Sequence, residues 1–572
     1  MPIETPVLIV GGGPIGLALA ADLGRRGLEA ILIERRAEKL GAARMIEVGV
    51  RTMEICRQLG VTDEIWNWGF PHDQPLDNVF VTHLDGYELG RVKAPSFNTH
   101  RSSPFSPERA IPCPQTWFDP ILKERARSFP HIQLRYQTEL QNFVQDADGV
   151  TVDLVDRMTG RSQQVRAKYL IGCDGSDSLV RSMLGIQIRG QRHLDWSLNV
   201  YLKIPNFKYL HRTAPAFRYV FIGPEGTWSF LTMVDGKDLY RLQLIGVDKT
   251  ALETADIPAY VRRCFGRDIP YTVEEKVLWV RKMTIADRYM DGRVFLAGDA
   301  AHAHPPNGGL GMNTGIQDAF DLGWKLEAVL KGWGGPELLD SYDYERRPAS
   351  SRGNETSLAN YRRLSDGSAD QLIDEPSEEG ALVRKTIGEH LVRENVKAWN
   401  PPGVHLGYIY NPSPIVIPDG SVQPQEDTYG YQPTSFPGAR APHVWLSPQE
   451  SIIDLFGPGF TLLQFEDVPV DELRRAAAAR NVPLTVHRIR NPHACALYER
   501  RLVLVRPDGH VAWRDDVLPE DCLALIDIVR GAGRRVAARR NEDLLLASTA
   551  RSDDSGAGVS DNVLKYPARA AS

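Results

Sequence analysis

Residues 7 to 34, VLIVGGGPIGLALAADLGRRGLEAILIE, place a strand, a glycine turn, a helix and a second strand closed by an acid in direct succession. Few folds accept that order. Val7, Leu8, Ile9 and Val10 form an apolar run suited to a buried parallel strand, and Gly11, Gly13 and Gly16 follow at the G-x-G-x-x-G spacing. The first glycine permits a tight turn, the second lets the backbone approach a pyrophosphate, and the third lets the helix pack closely on the strand. Free N–H groups and the dipole at the start of that helix favour phosphate charge. Glu34 ends the second strand where a carboxylate can accept both hydroxyls of an adenosine ribose. A glycine cluster alone reads equally as an ordinary turn; the strand, helix and acid around it point to an adenine dinucleotide. Gly11, Gly13, Pro14, Gly16, Glu34 and the adjoining Arg35 are its candidate contacts.

The 572 residues suffice for several cores, so discontinuous domains are expected. With 67 basic and 73 acidic residues the net charge is -6, which offers no electrostatic footprint for nucleic acid or an anionic membrane. Small molecules are the expected partners. No run is long enough to span a bilayer, and no basic segment precedes Val7 as a signal peptide would require. Cys56, Cys113, Cys173, Cys264, Cys495 and Cys522 lack C-x-x-C or zinc-ligand spacing, so reduced core thiols and a cytoplasmic location are expected.

Helical spacing recurs at 51–59, 116–128, 316–331 and 354–398. Alternation at 132–136, 149–156 and 163–167 predicts a small antiparallel layer, with Asp148-Gly149 and Thr159-Gly160 as turns. Residues 195–280 again read as strands, including 219–222, 227–234 and 240–245, and predict a second sheet over the first domain. A proline-rich connector follows at 400–445, then alternating strands and helices from Ser451, and a small polar tail from Ser548.

Two further acids stand at strand ends. The apolar run Tyr169–Cys173 delivers Asp174 ahead of Gly175, and RVFLAGD delivers Asp299 after Gly298. Alone, Asp-Gly is a hairpin turn and Gly-Asp an N-capped loop. Open α/β sheets bind ligands beyond the carboxyl ends of their strands, so these acids and the first glycine loop are expected to share one crevice.

In these three motifs and their order, over roughly residues 5 to 350, the sequence resembles the class A flavoprotein monooxygenases, aromatic hydroxylases with a p-hydroxybenzoate hydroxylase-like fold. The resemblance implies an α/β protein with a Rossmann-type FAD-binding domain, an inserted antiparallel β-sheet substrate domain and a C-terminal thioredoxin-like α/β domain. It implies FAD-binding segments at 1–75, 111–190 and 285–398, the last with a helical connector, and substrate-domain segments at 76–110 and 191–284. The thioredoxin-like domain and its tail take 399–572. It further implies that Gly11, Gly13, Gly16 and Glu34 hold the ADP half of FAD, that Asp174 lies near the pyrophosphate and the nicotinamide cofactor, and that Gly298 and Asp299 serve the ribityl chain. The loop holding Pro306, Gly309, Gly311, Met312 and Asn313 would turn backbone N–H groups to the flavin ring. Arg44 matches a family arginine beside the flavin, and Gln115 a polar residue at the ribityl or dimethylbenzene side. The segment PGARAPHVWL at 437–446 resembles the C-terminal extension of the phenol hydroxylase subgroup. Without C-x-x-C its expected role is packing or homodimer formation.

The implied reaction is reduction of FAD by NADPH or NADH, addition of O2 at flavin C4a, and transfer of one oxygen from the resulting hydroperoxide to a phenolic or other activated ring. The protein must exclude water, orient the ring and help remove a phenolic proton. Met45-Ile46 stands where some phenol hydroxylases carry an acid or histidine after the family arginine. Arg218 and Tyr219 are the candidate catalytic pair, ahead of Tyr240 and His72, each of which also reads as structural. His302 and His304 find no third ligand in the sequence, and loop packing or flavin contact is expected rather than a metal. An oxidase or epoxidase of the same fold, and a ligand sensor with a structural FAD, are the alternatives.

Overall fold

The computed structural model describes residues 3–38, 45–99, 101–246, 248–365, 370–398 and 401–533. Five strands run parallel in the order Val294–Leu296, Ser162–Gly172, Ile3–Val10, Ala30–Glu34 and Ile132–Tyr136. Helix Pro14–Arg25 crosses this sheet and packs against Leu310–Leu330 and Gln115–Arg127. Val7, Leu8 and Ile9 are consequently sealed from solvent, as a continuous apolar run in a covered parallel strand requires.

The alternation read at 132–136 belongs elsewhere than expected. That strand pairs parallel with Ala30–Glu34 instead of joining an antiparallel layer. Residues 163–167 and 169–173, read as separate segments, form most of one strand, Ser162–Gly172. Its Val165–Ala167 portion pairs with Ile3–Thr5 on one side and antiparallel with residues 150–152 on the other, and its end runs between Ile3–Val10 and Val294–Leu296. One strand thus serves both a hairpin and the central sheet.

The second sheet is almost wholly antiparallel, in the order His302–Ala303, Thr272–Ala286, Ile188–Lys203, Leu239–Gly246, Gly226–Met233, Arg218–Gly223, Asn78–Val81 and Glu88–Val92. One face packs into the main core through Tyr219, Phe221, Leu231, Tyr240, Leu242 and Val200. The other face is split. At one end Phe80, Val220, Ile222 and Phe230 pack with Ile387 and Leu391 of helix Glu378–Ala398. At the other it looks across a cavity toward the parallel sheet.

The segment 354–398 divides into the end of helix Ser341–Ser365, a short turn Gln371–Asp374 and helix Glu378–Ala398. Helix Leu310–Leu330 starts before the expected Ile316, directly after the glycine loop. Beyond the connector, strands and helices alternate as Phe460–Gln464, Asp471–Ala479, Leu484–Arg488, Pro492–Tyr498, Leu502–Val505, Val511–Asp515 and Cys522–Val529. Their sheet has the first and second strands parallel and the third and fourth added antiparallel. Trp324 and Trp333 meet Phe460 at this unit's base. Arg44 and the tail from Ser548 lie outside the described residues. All six cysteines are free thiols, and no helix among the described residues is long and apolar enough to cross a membrane.

Candidate active site

A cavity of about 1130 Å³ joins the carboxyl ends of the parallel strands to the open part of the second sheet. That exceeds the roughly 300–1,000 Å³ usual for one small ligand. Gly11, Gly13, Pro14, Glu34, Arg35, Gln115, Asp174, Asp299, Pro306, Gly309, Gly311 and Met312 all line it. Residues scattered over three hundred positions thus meet in one place.

Local geometry explains each glycine of the first loop. Gly11 has φ +115°, and a Cβ there would stand 2.3 Å from the Cys173 carbonyl oxygen. At Gly16 a Cβ would reach within 2.0 Å of the Gly11 oxygen, so helix and turn touch directly. Gly13 differs. Nothing lies within 4 Å of where its Cβ would project, and no side chain caps the helix that starts beside it. That open cradle at a helix N-terminus fits a pyrophosphate. The Glu34 carboxylate accepts from the N–H groups of Gly12 at 2.8 Å and Arg36 at 2.9 Å, which fixes it at the cavity edge.

Asp174 accepts from the N–H groups of Leu179 and Val180 through Oδ2, at 2.7 and 3.1 Å. Its Oδ1 is buried without a partner among the described residues. Arg181 ties this loop to the next by donating to the carbonyls of Ser176 and Ala300. Gly298, at φ +60°, packs where a Cβ would strike Ile15, and leaves the adjoining Asp299 exposed to the cavity. The loop from Pro305 ends at Gly309, and helix Leu310–Leu330 begins there with no side-chain cap. A second helix N-terminus therefore faces the same space. Gly16, Gly298 and Asn313 do not themselves line it. Asn313 is buried, accepts from Gly49 N–H at 2.7 Å and donates to the Gly309 carbonyl at 2.6 Å, and so braces the loop from behind.

Gln115 donates through Nε2 to Asp119 Oδ2 at 2.9 Å. Burial pushes the Asp119 carboxyl up to about 7, and its Oδ1 has no partner among the described residues. His302 bonds Asp318 at 2.6 Å, and Asp318 is also held by Arg346 at 2.8 Å. Burial alone would raise Asp318, but these neighbours hold it below the usual carboxylate range. His304 lines the cavity, contacts His302 and is driven down to about 3 by burial. No group of three or more metal-ligating side chains exists among the described residues.

The candidate catalytic pair separates. Arg218 lines the cavity, donating to Thr232 Oγ1 at 3.2 Å and Asn78 Oδ1 at 3.4 Å. Tyr219 points to the opposite face, as successive residues of a strand must. Its hydroxyl accepts from Ala216 N–H at 3.0 Å inside the core, and burial raises its pKa beyond the ordinary range. Tyr240 stacks on Phe207 in the same core, and His72 lies outside the cavity lining. The residues that the sequence reading passed over are Asn199, Tyr201, Arg241 and Gln243, which share the face of Arg218. The alternation of Arg241, Gln243 and Ile245 with Leu242 and Leu244 carries that signal in the sequence.

Comparison with known proteins gives the same picture. A model described as "FAD binding domain" matches residues 4–356, and one described as "Aromatic-ring hydroxylase, C-terminal" matches 434–539. A tetracenomycin B2 monooxygenase-dioxygenase of Streptomyces olivaceus is 34% identical over 94% of this chain and 99% of its own. RebC, solved after a chromopyrrolic acid soak with bound 7-carboxy-K252c, is 39% identical with a TM-score of 0.87, over 93% of this chain and all of its own. Aklavinone-11 hydroxylase, in complex with FAD and aklavinone, is 29% identical with a TM-score of 0.79, over 94% of this chain and 100% of its own.

Proposed function

This chain belongs to the class A FAD-dependent aromatic hydroxylases, and from that premise we propose how its residues divide the work. The enzyme is an FAD-dependent monooxygenase that hydroxylates an aromatic ring. When bound, FAD supplies the redox chemistry, taking electrons from NAD(P)H and activating O2. The glycine cradle at Gly13 and Pro14 takes the pyrophosphate, Glu34 and Arg35 the adenosine side, and Gln115 and Asp299 the ribityl side. Asp174 stands on the phosphate side, its Oδ2 fixed by the N–H groups of Leu179 and Val180. Backbone N–H groups of the loop through Pro306, Gly309, Gly311 and Met312 face the ring, where the helix dipole favours negative charge. Gly16, Gly298 and Asn313 act by packing. Tyr219 takes no catalytic part, because its hydroxyl serves the core.

The aromatic substrate lies under the open face of the second sheet, walled by Phe230, Ile245, Val277 and Trp279, which exclude water. Arg218, lowered by burial to about 10 and so still charged at neutral pH, stabilises negative charge on the substrate. The nicotinamide cofactor docks transiently on the FAD-binding segments, and O2 is the co-substrate. The segments 1–75, 111–190 and 285–398 form the FAD-binding domain, the last with a helical connector whose helix Glu378–Ala398 packs on the second sheet, and 76–110 and 191–284 form the substrate domain. The C-terminal strand order supports a thioredoxin-like unit with a packing role, which also makes it the candidate contact of a homodimer. Six free thiols and use of NAD(P)H favour the cytoplasm.

The observation that carries the reading is the single cavity, because it brings the dinucleotide cradle and an aromatic-walled sheet face within one enclosure. Anaerobic stopped-flow reduction of the yellow holoenzyme by NADPH, with and without candidate phenols, tests it. A substrate should speed flavin bleaching and gain one oxygen atom on aeration. Stoichiometric hydrogen peroxide with no oxygenated product across the panel would indicate an oxidase, and absence of NADPH oxidation a sensor.

A further inference from the structure

His302 and His304 stand between Asp299 and the loop from Pro305, and their rings meet edge-on with the two Nδ1 atoms 3.3 Å apart. The other nitrogen of each ring is already committed. His302 Nε2 lies 2.6 Å from Asp318 Oδ2, and both of these side chains are sealed from solvent. His304 Nε2 lies 3.2 Å from the Ser350 carbonyl oxygen. Gly353 lets the His304 ring seat against helix Ser341–Ser365, since a Cβ there would stand 2.8 Å from Nε2.

These contacts fix the number of protons. A carbonyl oxygen only accepts, so His304 Nε2 bears hydrogen and donates to Ser350. Asp318 is ionised: its Oδ1 accepts from Arg346 Nε at 2.8 Å and its Oδ2 from the Gly298 N–H at 3.1 Å, and its neighbours hold it below the usual carboxylate range. Its contact with His302 is therefore a hydrogen bond only if His302 Nε2 also bears hydrogen. With one proton on each ring, the two Nδ1 atoms would be bare acceptors set against each other. One more proton, donated by one Nδ1 to the other, removes the conflict. Burial drives His304 down to about 3, which leaves His302, lying on the Asp318 carboxylate, as the ring that carries two. The other titratable groups around the pair are Arg346, which shares Asp318, the phenols of Tyr289 and Tyr342, kept neutral by burial, and Asp299, which borders Gly311 together with His304 on the cavity side.

We propose that His302 and His304 hold this additional proton between them, so that the pair is a fixed cation behind the loop that faces the flavin. His304 lines the cavity, and the uncapped N-terminus of helix Leu310–Leu330 opens onto the same space. Two positive features thus lie on one side of it. The pair is a positioning device: it favours bound FAD in the state that carries more negative charge and ties the Gly298 turn to helix Leu310–Leu330 through Asp318. The location of FAD is taken from the hydroxylase reading, whereas the proton count is independent of it.

Neutron diffraction from a deuterium-exchanged crystal of the oxidised holoenzyme at neutral pH tests the count directly. Deuterium should appear on both nitrogens of His302 and on Nε2 alone of His304. A bare nitrogen on His302 overturns the proposal. The second readout is the midpoint potential of bound FAD. His302→Gln keeps a donor for Asp318 but carries no charge, and should lower the preference for reduced over oxidised FAD by about 10-fold, or about 30 mV for a two-electron couple. An unchanged potential in a variant that retains one FAD per chain also overturns the proposal. If the variant releases FAD, the deuterium positions in the native enzyme decide. Neither measurement requires turnover, so failure to hydroxylate any ring would leave both results standing.

Discussion

Two sets of buried cations invite comparison. Beneath the C-terminal unit, Lys325 is held at 2.7 Å by both Asp321 and Glu345, and Arg506 pairs with Glu345, Asp321 and Asp508. Nearby, Arg51 and Arg440 share Glu54. Every cation there meets a carboxylate from the chain itself, often across hundreds of residues of sequence. On the cavity face, Arg218 and Arg241 meet oxygens of Thr232, Asn78 and Tyr201, and Glu47 is the carboxylate that acts on Arg218. The first arrangement joins distant parts of the protein, and the second sets charge along the wall of the cavity.

The largest effect should come from breaking the matched set. Glu345→Ala removes the carboxylate that Lys325 and Arg506 share, leaves both cations to Asp321 and Asp508, and should cost about 3 kcal/mol of stability in denaturant unfolding. An unchanged midpoint would show that these charges are solvated and that the comparison fails. Glu54 sharpens the same point through pH. Burial alone would raise its carboxyl, but Arg440 and Arg51 outweigh burial and hold it at about 2. Its folded value lies below the unfolded one of about 4.3, so the stabilisation is complete above that pH and is lost as pH falls toward 2. The loss should be about 3 kcal/mol, and Glu54→Gln should flatten that part of the stability curve.

On the cavity side the consequence should appear in affinity. Glu34→Gln should weaken FAD binding by about 10-fold, measured by ultrafiltration, with unfolding of the FAD-free chain nearly unchanged. A large loss of stability instead would move Glu34 to the structural class. Tyr219→Phe should have the smallest effect. Loss of one internal hydrogen bond costs about 1 kcal/mol, and rates of flavin reduction and hydroxylation should be unaltered. A selective fall in hydroxylation would return Tyr219 to the chemistry.

The cofactor side of the site was largely legible because backbone geometry writes itself into sequence. Gly11 needs a positive φ, Gly16 needs contact with a turn, and Asp174 and Asp299 follow recognisable strands. The wall formed by the second sheet was not. What it presents depends on which of two neighbouring residues on a strand faces the cavity, and Arg218 and Tyr219 are equally polar in a sequence although they point in opposite directions. Strand 132–136 failed for a related reason, since local alternation cannot specify whether its partner is Ala30–Glu34 or a hairpin neighbour. The matched ion pairs were invisible too, because Glu54 and Arg440 stand 386 positions apart.

Along the cavity wall Arg218, Arg241, Tyr201 and Glu275 each come from a separate strand of the second sheet, and the backbone ladder that holds those strands takes no part in the choice of side chain. Exchange of a single member changes the wall without touching the backbone pairing of its neighbours. Such a surface works like a keyboard of independent stops, on which one architecture can be retuned to molecules of different shape and polarity by point changes.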